Sequence, residues 1–290
     1  MLDRLEAPRP IRHVDVCANG HAPGRVEALR LAREIAGPDI VLQATPREAA
    51  KFGEAGADLA VPDGTATAAD LCLAFGGDGT ILRALRRFAG TQVPVFAVNF
   101  GKIGFLAATE ADDLADGLQH AFQGRFEVMP LPALELRTGG HTHLAVNDVT
   151  FARAPQGPVA ELAYALGGEE VGHVRCDGLV AATPAGSTGY NLANGGPVMA
   201  WGVAGFAVSF VAPHTLTARA LVVAPDDVLH VRNAGGREPV SVSVDGVHVD
   251  DVEKGVEVDV QFRDAAVHLA QMPGSNFYHR IREKFGRLAQ

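Results

Sequence analysis

Apolar residues in the first third of the chain fall into short runs separated by stretches of helical spacing. His13 to Ala18, Leu71 to Phe75 and Val93 to Val98 each have the length and apolar content of a strand. Between them, Val26, Leu29, Ala32 and Ile35 share one helical face that stops at Gly37-Pro38. Ile81, Leu82, Leu85 and Phe88 share another, with Arg83, Arg86 and Arg87 on the opposite side. Asp39 to Ala44 predicts a further short strand, Arg47 to Gly56 a weaker helix, and Pro62-Asp63-Gly64 a loop. Strands that alternate with helices and are apolar on both faces predict a parallel sheet covered on two sides. Thr109-Glu110-Ala111-Asp112 has the spacing of a capping box, opening a helix that buries Leu114, Leu118 and Phe122.

After Gly124 the pattern changes to short runs of β-formers. They are Leu131 to Leu136, His143 to Ala152, Glu161 to Leu166, Val171 to Val174, Leu179 to Ala182, Phe206 to Val211, Leu221 to Val223, Val228 to Arg232, Val240 to Val244 and Val256 to Phe262. Gly139-Gly140, Gly167-Gly168, Gly235-Gly236 and Asp245-Gly246 read as hairpin turns. So many strands would leave one sheet with too much exposed apolar surface, so a two-layer or closed assembly is expected. Phe277 to Leu288 is amphipathic and helical again. The expected fold is α/β plus all-β. An N-terminal α/β Rossmann-like three-layer domain (1–125) precedes a β-rich, sandwich-like domain (126–272), and a C-terminal segment (273–290) returns to the first domain.

Composition narrows the function. With 290 residues, 47% of them hydrophobic, there is ample core. A formal charge of −9 argues against nucleic acid or an anionic membrane as a partner. Any phosphate site must therefore be local. Cys17, Cys72 and Cys176 form no CxxC pair and read as buried free thiols. No apolar run reaches membrane-spanning length and no secretory leader pattern opens the chain, so a cytoplasmic protein is expected.

Four stretches carry candidate chemistry. Gly76-Gly77-Asp78-Gly79-Thr80 ends a strand and opens a helix, an arrangement that aims N–H groups at an anion with one acid at its centre. It is neither a Walker A loop nor a G-x-G-x-x-G turn. The second stretch, Asn99 to Leu106, is a glycine-containing loop at a strand end. Asn147-Asp148 sets an amide beside a carboxylate inside an apolar run, a pair able to read adenine or ribose. Arg175 to Pro197 runs from a strand into a turn rich in glycine and hydroxyl groups, where Ser187, Thr188 and Tyr190 can donate and Tyr190 can stack. His141 and His143 share a strand face without a third ligand and read as a solvated hairpin.

Together these stretches resemble the NAD kinase family in its compact bacterial form, in order and spacing from about residue 70 to 285. The Thr183-Pro184-Ala185-Gly186-Ser187-Thr188 run in company with Asn147-Asp148 discriminates, because Gly-Gly-Asp-Gly-Thr also occurs in lipid kinases and phosphofructokinases. Pro213-His214-Thr215-Leu216 with Arg219, and Val244-Asp245-Gly246, resemble later landmarks. The resemblance implies transfer of the γ-phosphoryl of ATP, or a phosphoryl of polyphosphate, to the adenosine 2′-hydroxyl of NAD. Asp78 would be catalytic, as general base or hydroxyl-orienting carboxylate. Gly79, Phe105, Asn147, Asp148, Arg175, Asp177, Thr188, Gly189, Tyr190, Asn191 and Ala193 would bind NAD, partly from a neighbouring subunit. Gly76, Gly77, Thr80, Arg83 and Asn99 would face ATP phosphates, with Mg²⁺ as the accompanying cation and Lys102 as a further candidate for offsetting charge. A homodimer or homotetramer and a cleft site between the domains are implied. The chain departs from the family pattern at Ala185, Gly189, Ala193 and Val247, which replace Thr, Ala, Ser and Gln. The rival readings are a kinase of a lipid or sugar acceptor and a nucleotide-binding regulator without catalysis.

Overall fold

A computed structural model describes residues 5–7, 10–59, 69–101, 104–155, 157–235 and 238–286. The expected loop at Pro62-Asp63-Gly64, Lys102, Gly236 and the helix end at Leu288 lie outside these residues. The chain divides into two compact units: residues 2–130 with 267–290, and residues 131–266 with Met1.

The first unit is built on parallel strands. After the two-residue β1 (Leu5–Glu6) come β2 (His13–Ala18), α1 (Arg25–Ala36), β3 (Val41–Gln43), α2 (Pro46–Ala49), β4 (Leu71–Gly76), α3 (Asp78–Arg87), β5 (Pro94–Asn99), β6 (Thr109–Glu110) and α4 (Leu114–Phe122). The order is β3-β2-β4-β5, and every pairing among them is parallel. Alternation assigns the two faces. Val14, Val16, Leu71, Leu73, Phe75, Phe96 and Val98 join the α1 and α4 residues Leu29, Ala32, Leu118 and Phe122 in one core cluster. Fully burying a side chain such as Phe75 contributes roughly 2–3 kcal/mol. On the other face, Asp15 is buried and receives both arms of Arg87 from α3, at 2.8 and 2.7 Å. Cys17 and Cys72 lie on that face with their sulfurs 3.9 Å apart, and all three cysteines are free and buried.

Two expected helices differ in this unit. The Arg47 to Gly56 helix is only the single turn α2, followed by 3₁₀ turns to Leu59 that are kinked at Gly53, where φ is 61°. Thr109 does not cap α4. It pairs with β5 as part of β6, and α4 starts at Leu114 after a 3₁₀ turn. Thr109 instead packs on the helix at Gly117, where an added Cβ would stand 2.5 Å from its methyl group.

The second unit is an antiparallel two-layer assembly. Its elements are the later part of β7 (Glu127–Thr138), β8 (His141–Ala145), β9 (Asp148–Arg153), β10 (Ala160–Leu166), β11 (Glu169–Cys176), β12 (Gly178–Ala182), α5 (Tyr190–Ala193), β13 (Phe206–Val211), β14 (Leu221–Val223), β15 (Leu229–Asn233), β16 (Val240–Val244), β17 (Val247–Val252) and the first part of β18 (Glu257–Gln271). One sheet runs β14-β13-β12-β9-β16-β17, and the other includes β11-β10-β15-β18. Alternate residues of both sheets, among them Phe151, Leu179, Phe206 and Val242 from one and Leu162, Val231 and Val260 from the other, form a single core. The hairpins at Gly139-Gly140, Gly167-Gly168 and Asp245-Gly246 form as expected. The expected His143 to Ala152 strand is two strands, broken at Val146-Asn147, and β17 is an additional strand.

From Val267 the chain belongs to the α/β unit. His268 and Leu269 of β18 pair in parallel with Pro94 and Val95 of β5, and α6 (Phe277–Phe285) follows. Asn276 caps α6 by accepting from the backbone N–H of His279 at 2.8 Å. The expected return of the C-terminal helix to the first domain is seen in Phe285, which lies 5.3 Å from the Phe105 ring, centroid to centroid.

The Asp15–Arg87 pair generates a stability prediction. Burial pushes Asp15 up from 3.8 to about 6 against the opposing pull of Arg87. Because the folded value lies above the unfolded one, ionising Asp15 costs stability, and that cost develops as pH rises from the unfolded value through the folded one. Arg87→Met removes the compensating cation. Its deficit in urea unfolding is expected to grow from pH 5 to pH 8, reaching about 3 kcal/mol. A deficit that shrinks with rising pH would contradict the assignment.

Candidate functional site

The α/β unit contributes a carboxylate and open backbone at the carboxyl ends of β4 and β5. Gly76 and Asn99 are register partners there, so the glycine turn and the Asn99 loop lie side by side. Gly76 is required by packing: a Cβ would stand 2.5 Å from the hydroxyl of Thr80, which is buried beneath it. Gly77 and Gly79 face open space. Asp78 is the first residue of α3, with Gly77 as N-cap. Its carboxylate accepts from the N–H of Phe105, at 2.9 Å to Oδ2 and 3.2 Å to Oδ1, and from that of Leu106, at 3.3 Å to Oδ1. Burial raises the Asp78 pKa above its ordinary value. The two N–H groups and the charges of Arg280 and Lys284 oppose that rise. The result is a half-buried acid aimed from a helix N-terminus.

Other predicted residues of this unit are spent on scaffold bonds. Arg83 donates to the carbonyl of Ala18 at 2.8 Å and meets Glu48 at 3.3 Å. Glu48 also receives the N–H of Ala18 and the ammonium of Lys51. Asn99 is buried; it donates to Glu110 at 2.7 Å and accepts from the N–H of Gly101 at 2.9 Å, fixing its own loop. Phe105 is buried against Phe285 and offers its backbone N–H rather than its ring.

The β-rich unit contributes a second constellation. The break at Val146-Asn147 is held by Asp245, whose carboxylate accepts from the N–H groups of Val146, Asn147 and Asp148 at 3.1, 2.7 and 3.1 Å. Thr183 closes the same loop, donating its N–H to the Asn147 carbonyl and its hydroxyl to that of Val146. Gly186 packs so closely that a Cβ would stand 2.0 Å from the Asn147 carbonyl oxygen. The Asn147 side-chain oxygen is buried without a hydrogen-bond partner. Asp148 is buried and pushed up to about 6, first by burial and then by the Asp245 charge, with Thr150 opposing.

Along Thr183 to Pro197 the hydroxyl and amide groups divide by role. Ser187 is buried and binds the Pro184 carbonyl and the Met199 N–H, while Asn191 is buried and donates to the carbonyls of Ser187 and Pro197. Thr188 is half-buried and donates to Ala185. Gly189, Tyr190 and Ala193 are exposed, with the Tyr190 ring open to solvent.

Asp177 and Arg175 are not brought to this loop. Asp148 pairs with Ala182 at the end of β12, whereas Asp177 precedes its start. Five residues of strand separate the two positions by about 17 Å. There Asp177 binds Arg153 at 2.8 Å, and the exposed Arg175 meets Glu161 at 3.2 Å. From sequence, Asp245 reads only as a hairpin turn and family landmark and Glu110 only as part of a capping-box spacing, and nothing singles out Arg280. The signal available for Asp245 was an Asp-Gly turn, where it adopts a φ of 46°. For Arg280 it was a cation one position before the buried Ile281 of an amphipathic helix.

Comparison with known proteins places this geometry. Residues 43–126 match the ATP-NAD kinase N-terminal domain and residues 146–272 the ATP-NAD kinase C-terminal domain. A protein named NAD kinase from Gemmatimonas aurantiaca is 35% identical over 226 residues, 76% of this chain and 78% of that protein. One of the same name from Symbiobacterium thermophilum is 35% identical over 257 residues, 87% of this chain and 89% of that protein. The fold is similar to a yeast NADH kinase complexed with NADH, with a TM-score of 0.85, 22% identity and coverage of 100% of this chain and 94% of that one. It is also similar to an NAD kinase from Archaeoglobus fulgidus in complex with ATP, with a TM-score of 0.70, 23% identity and coverage of 94% and 97%. Matched in both of its domains and across most of its length, the chain belongs to the ATP-NAD kinase family.

Proposed function

We propose that this chain phosphorylates the 2′-hydroxyl of the adenosine ribose of NAD, giving NADP, with ATP or polyphosphate as donor. Family membership supports the activity. The observation that carries the assignment of roles is the Asp78 carboxylate, held at the N-terminus of α3 by the N–H groups of Phe105 and Leu106.

Phosphoryl transfer demands alignment and charge neutralisation more than covalent help. Gly77 and Gly79, with open space above them, and the positive end of α3 are the place for donor phosphates. Asp78 uses part of its lone-pair capacity on two N–H groups and keeps the rest to orient the ribose hydroxyl and accept its proton as the bond to phosphorus forms and that to the leaving ADP, or shortened polyphosphate, breaks. Mg²⁺ fits this donor set, because it binds through substrate phosphates plus one or two carboxylates and would neutralise phosphate charge beside Asp78. The β-rich unit holds the dinucleotide. Asp148 accepts from ribose hydroxyls, the unpartnered Asn147 oxygen receives a donor, and Tyr190 offers its face to a ring. Asp177 and Arg175, at the far end of β12, serve the site of a second copy in a homodimer or homotetramer.

Three outcomes test these roles. Asp78→Asn is expected to lower turnover about 10²–10⁴-fold while calorimetry still detects NAD binding; near-wild-type turnover removes Asp78 from the chemistry. Asp148 is ionised above about pH 6 and protonated below it. KM for NAD should therefore rise as pH falls through 6, and a flat KM profile would count against Asp148 as an acceptor. Mixing subunits of Asp78→Asn with subunits of Asp177→Ala should restore activity that neither variant has alone. Mixtures that stay inactive after subunit exchange would place Asp177 in its own chain's site or in none.

A further inference from the structure

Phe105 and Leu106 are gripped from two sides. Their N–H groups point to Asp78, and their carbonyls are taken by the C-terminal segment. Arg280 of α6 donates Nη1 to the Phe105 carbonyl at 2.8 Å. Gln271, which is buried, donates Nε2 to the Leu106 carbonyl at 2.9 Å. Arg280 also binds the Gln271 side-chain oxygen, and it donates to the Ser275 hydroxyl at 3.2 and 3.1 Å, so neither grip moves alone.

The peptide bond between Phe105 and Leu106 therefore lies between opposite charges. Its carbonyl faces the guanidinium and its N–H faces the Asp78 carboxylate. A cation on the carbonyl polarises the peptide and strengthens donation from its N–H. Gly104 fits the turn tightly, since a Cβ there would stand 3.0 Å from Asp78 Oδ1. A second tie runs from Lys284 of α6 to Glu110 at 3.6 Å, and from Glu110 to Asn99.

We propose that Arg280 is a positioning residue for phosphoryl transfer: acting through the Phe105–Leu106 peptide, it fixes where the Asp78 carboxylate stands. This rests on the reading of Asp78 as the catalytic acid. Displacing a reacting group by about 1 Å can cost 10²-fold in rate, so a guanidinium acting through this peptide reaches the chemistry. Among the described residues, the charged groups acting on Asp78 or Arg280 include Lys284 and Glu283 of α6 and Glu110 of β6. Of these, Arg280 and Lys284 favour the ionised form of Asp78.

The test compares wild type with Arg280→Met, Arg280→Lys and Gln271→Ala. It measures kcat and KM from pH 5 to 9, thermal melting, and titration of ¹³C-labelled aspartate carboxyls by NMR. Arg280→Met should lower kcat about 10- to 100-fold with KM for NAD and ATP changed by less than about threefold. The acid limb of its kcat profile and the Asp78 titration should both move to higher pH. Arg280→Lys keeps the charge and loses the fork, so kcat falls while the acid limb stays. Gln271→Ala should lower kcat without moving the limb. A folded Arg280→Met with unchanged acid limb and unchanged Asp78 titration overturns the proposal, as does a rise in KM at constant kcat. If Arg280→Met does not fold, wild-type kcat in both Arg280→Lys and Gln271→Ala overturns it. A wild type that makes no NADP would instead sink the assigned activity, and the NMR titration would still decide whether Arg280 governs Asp78.

Discussion

The constellation of the α/β unit depends on one carboxylate and the two N–H groups that hold it. Asp78 opens α3 after the buried strand β4, where the helix dipole and half-burial act on it in opposite senses. Burial alone would favour the neutral acid, and N–H groups alone would leave a weak base. Together they set the carboxylate's hold on a proton, the balance that the proposed role as a late proton acceptor calls for. The surrounding glycines follow from this constraint. Gly76 admits Thr80 beneath the turn, Gly104 admits the carboxylate, and Gly77 and Gly79 leave open space above the helix start.

The β-rich unit solves a related problem with the charges arranged differently. A strand must break to present Asn147 and Asp148, and the freed backbone groups need partners. Asp245 supplies acceptors for three N–H groups and Thr183 satisfies two carbonyls. The proximity of Asp245 also raises the Asp148 pKa, so the residue that builds the loop tunes the carboxylate the loop presents. In both units the presenting backbone is held by a residue distant in sequence.

Much of this fold was legible because its strands are short, apolar and bounded by glycine. His13–Ala18, Phe206–Val211, Leu221–Val223 and Val240–Val244 run between the residues the pattern indicates. β17 escaped because Val-His-Val-Asp-Asp-Val alternates weakly and fully buries only its last side chain. The chemical stretches were legible as stretches, but the division of labour within them was not. Arg83, Asn99, Thr80 and Asn191 have the donors a nucleotide site uses. Glu48 and Glu110 take those of Arg83 and Asn99, the carbonyls of Ser187 and Pro197 take that of Asn191, and the Thr80 hydroxyl packs under Gly76; these contacts form only once the chain has folded. Arg280 was hidden for the same reason, since nothing local distinguishes it from Arg282 two residues later.

The most direct measurement is the separation between the Asp78 carboxylate and the adenosine 2′-hydroxyl in a crystal structure of the chain with NAD bound. The account predicts a hydrogen bond of about 2.6–3.2 Å, with the N–H groups of Phe105 and Leu106 still on the carboxylate. A 2′-hydroxyl beyond the reach of Asp78, or a carboxylate released from those two N–H groups in the complex, would contradict it.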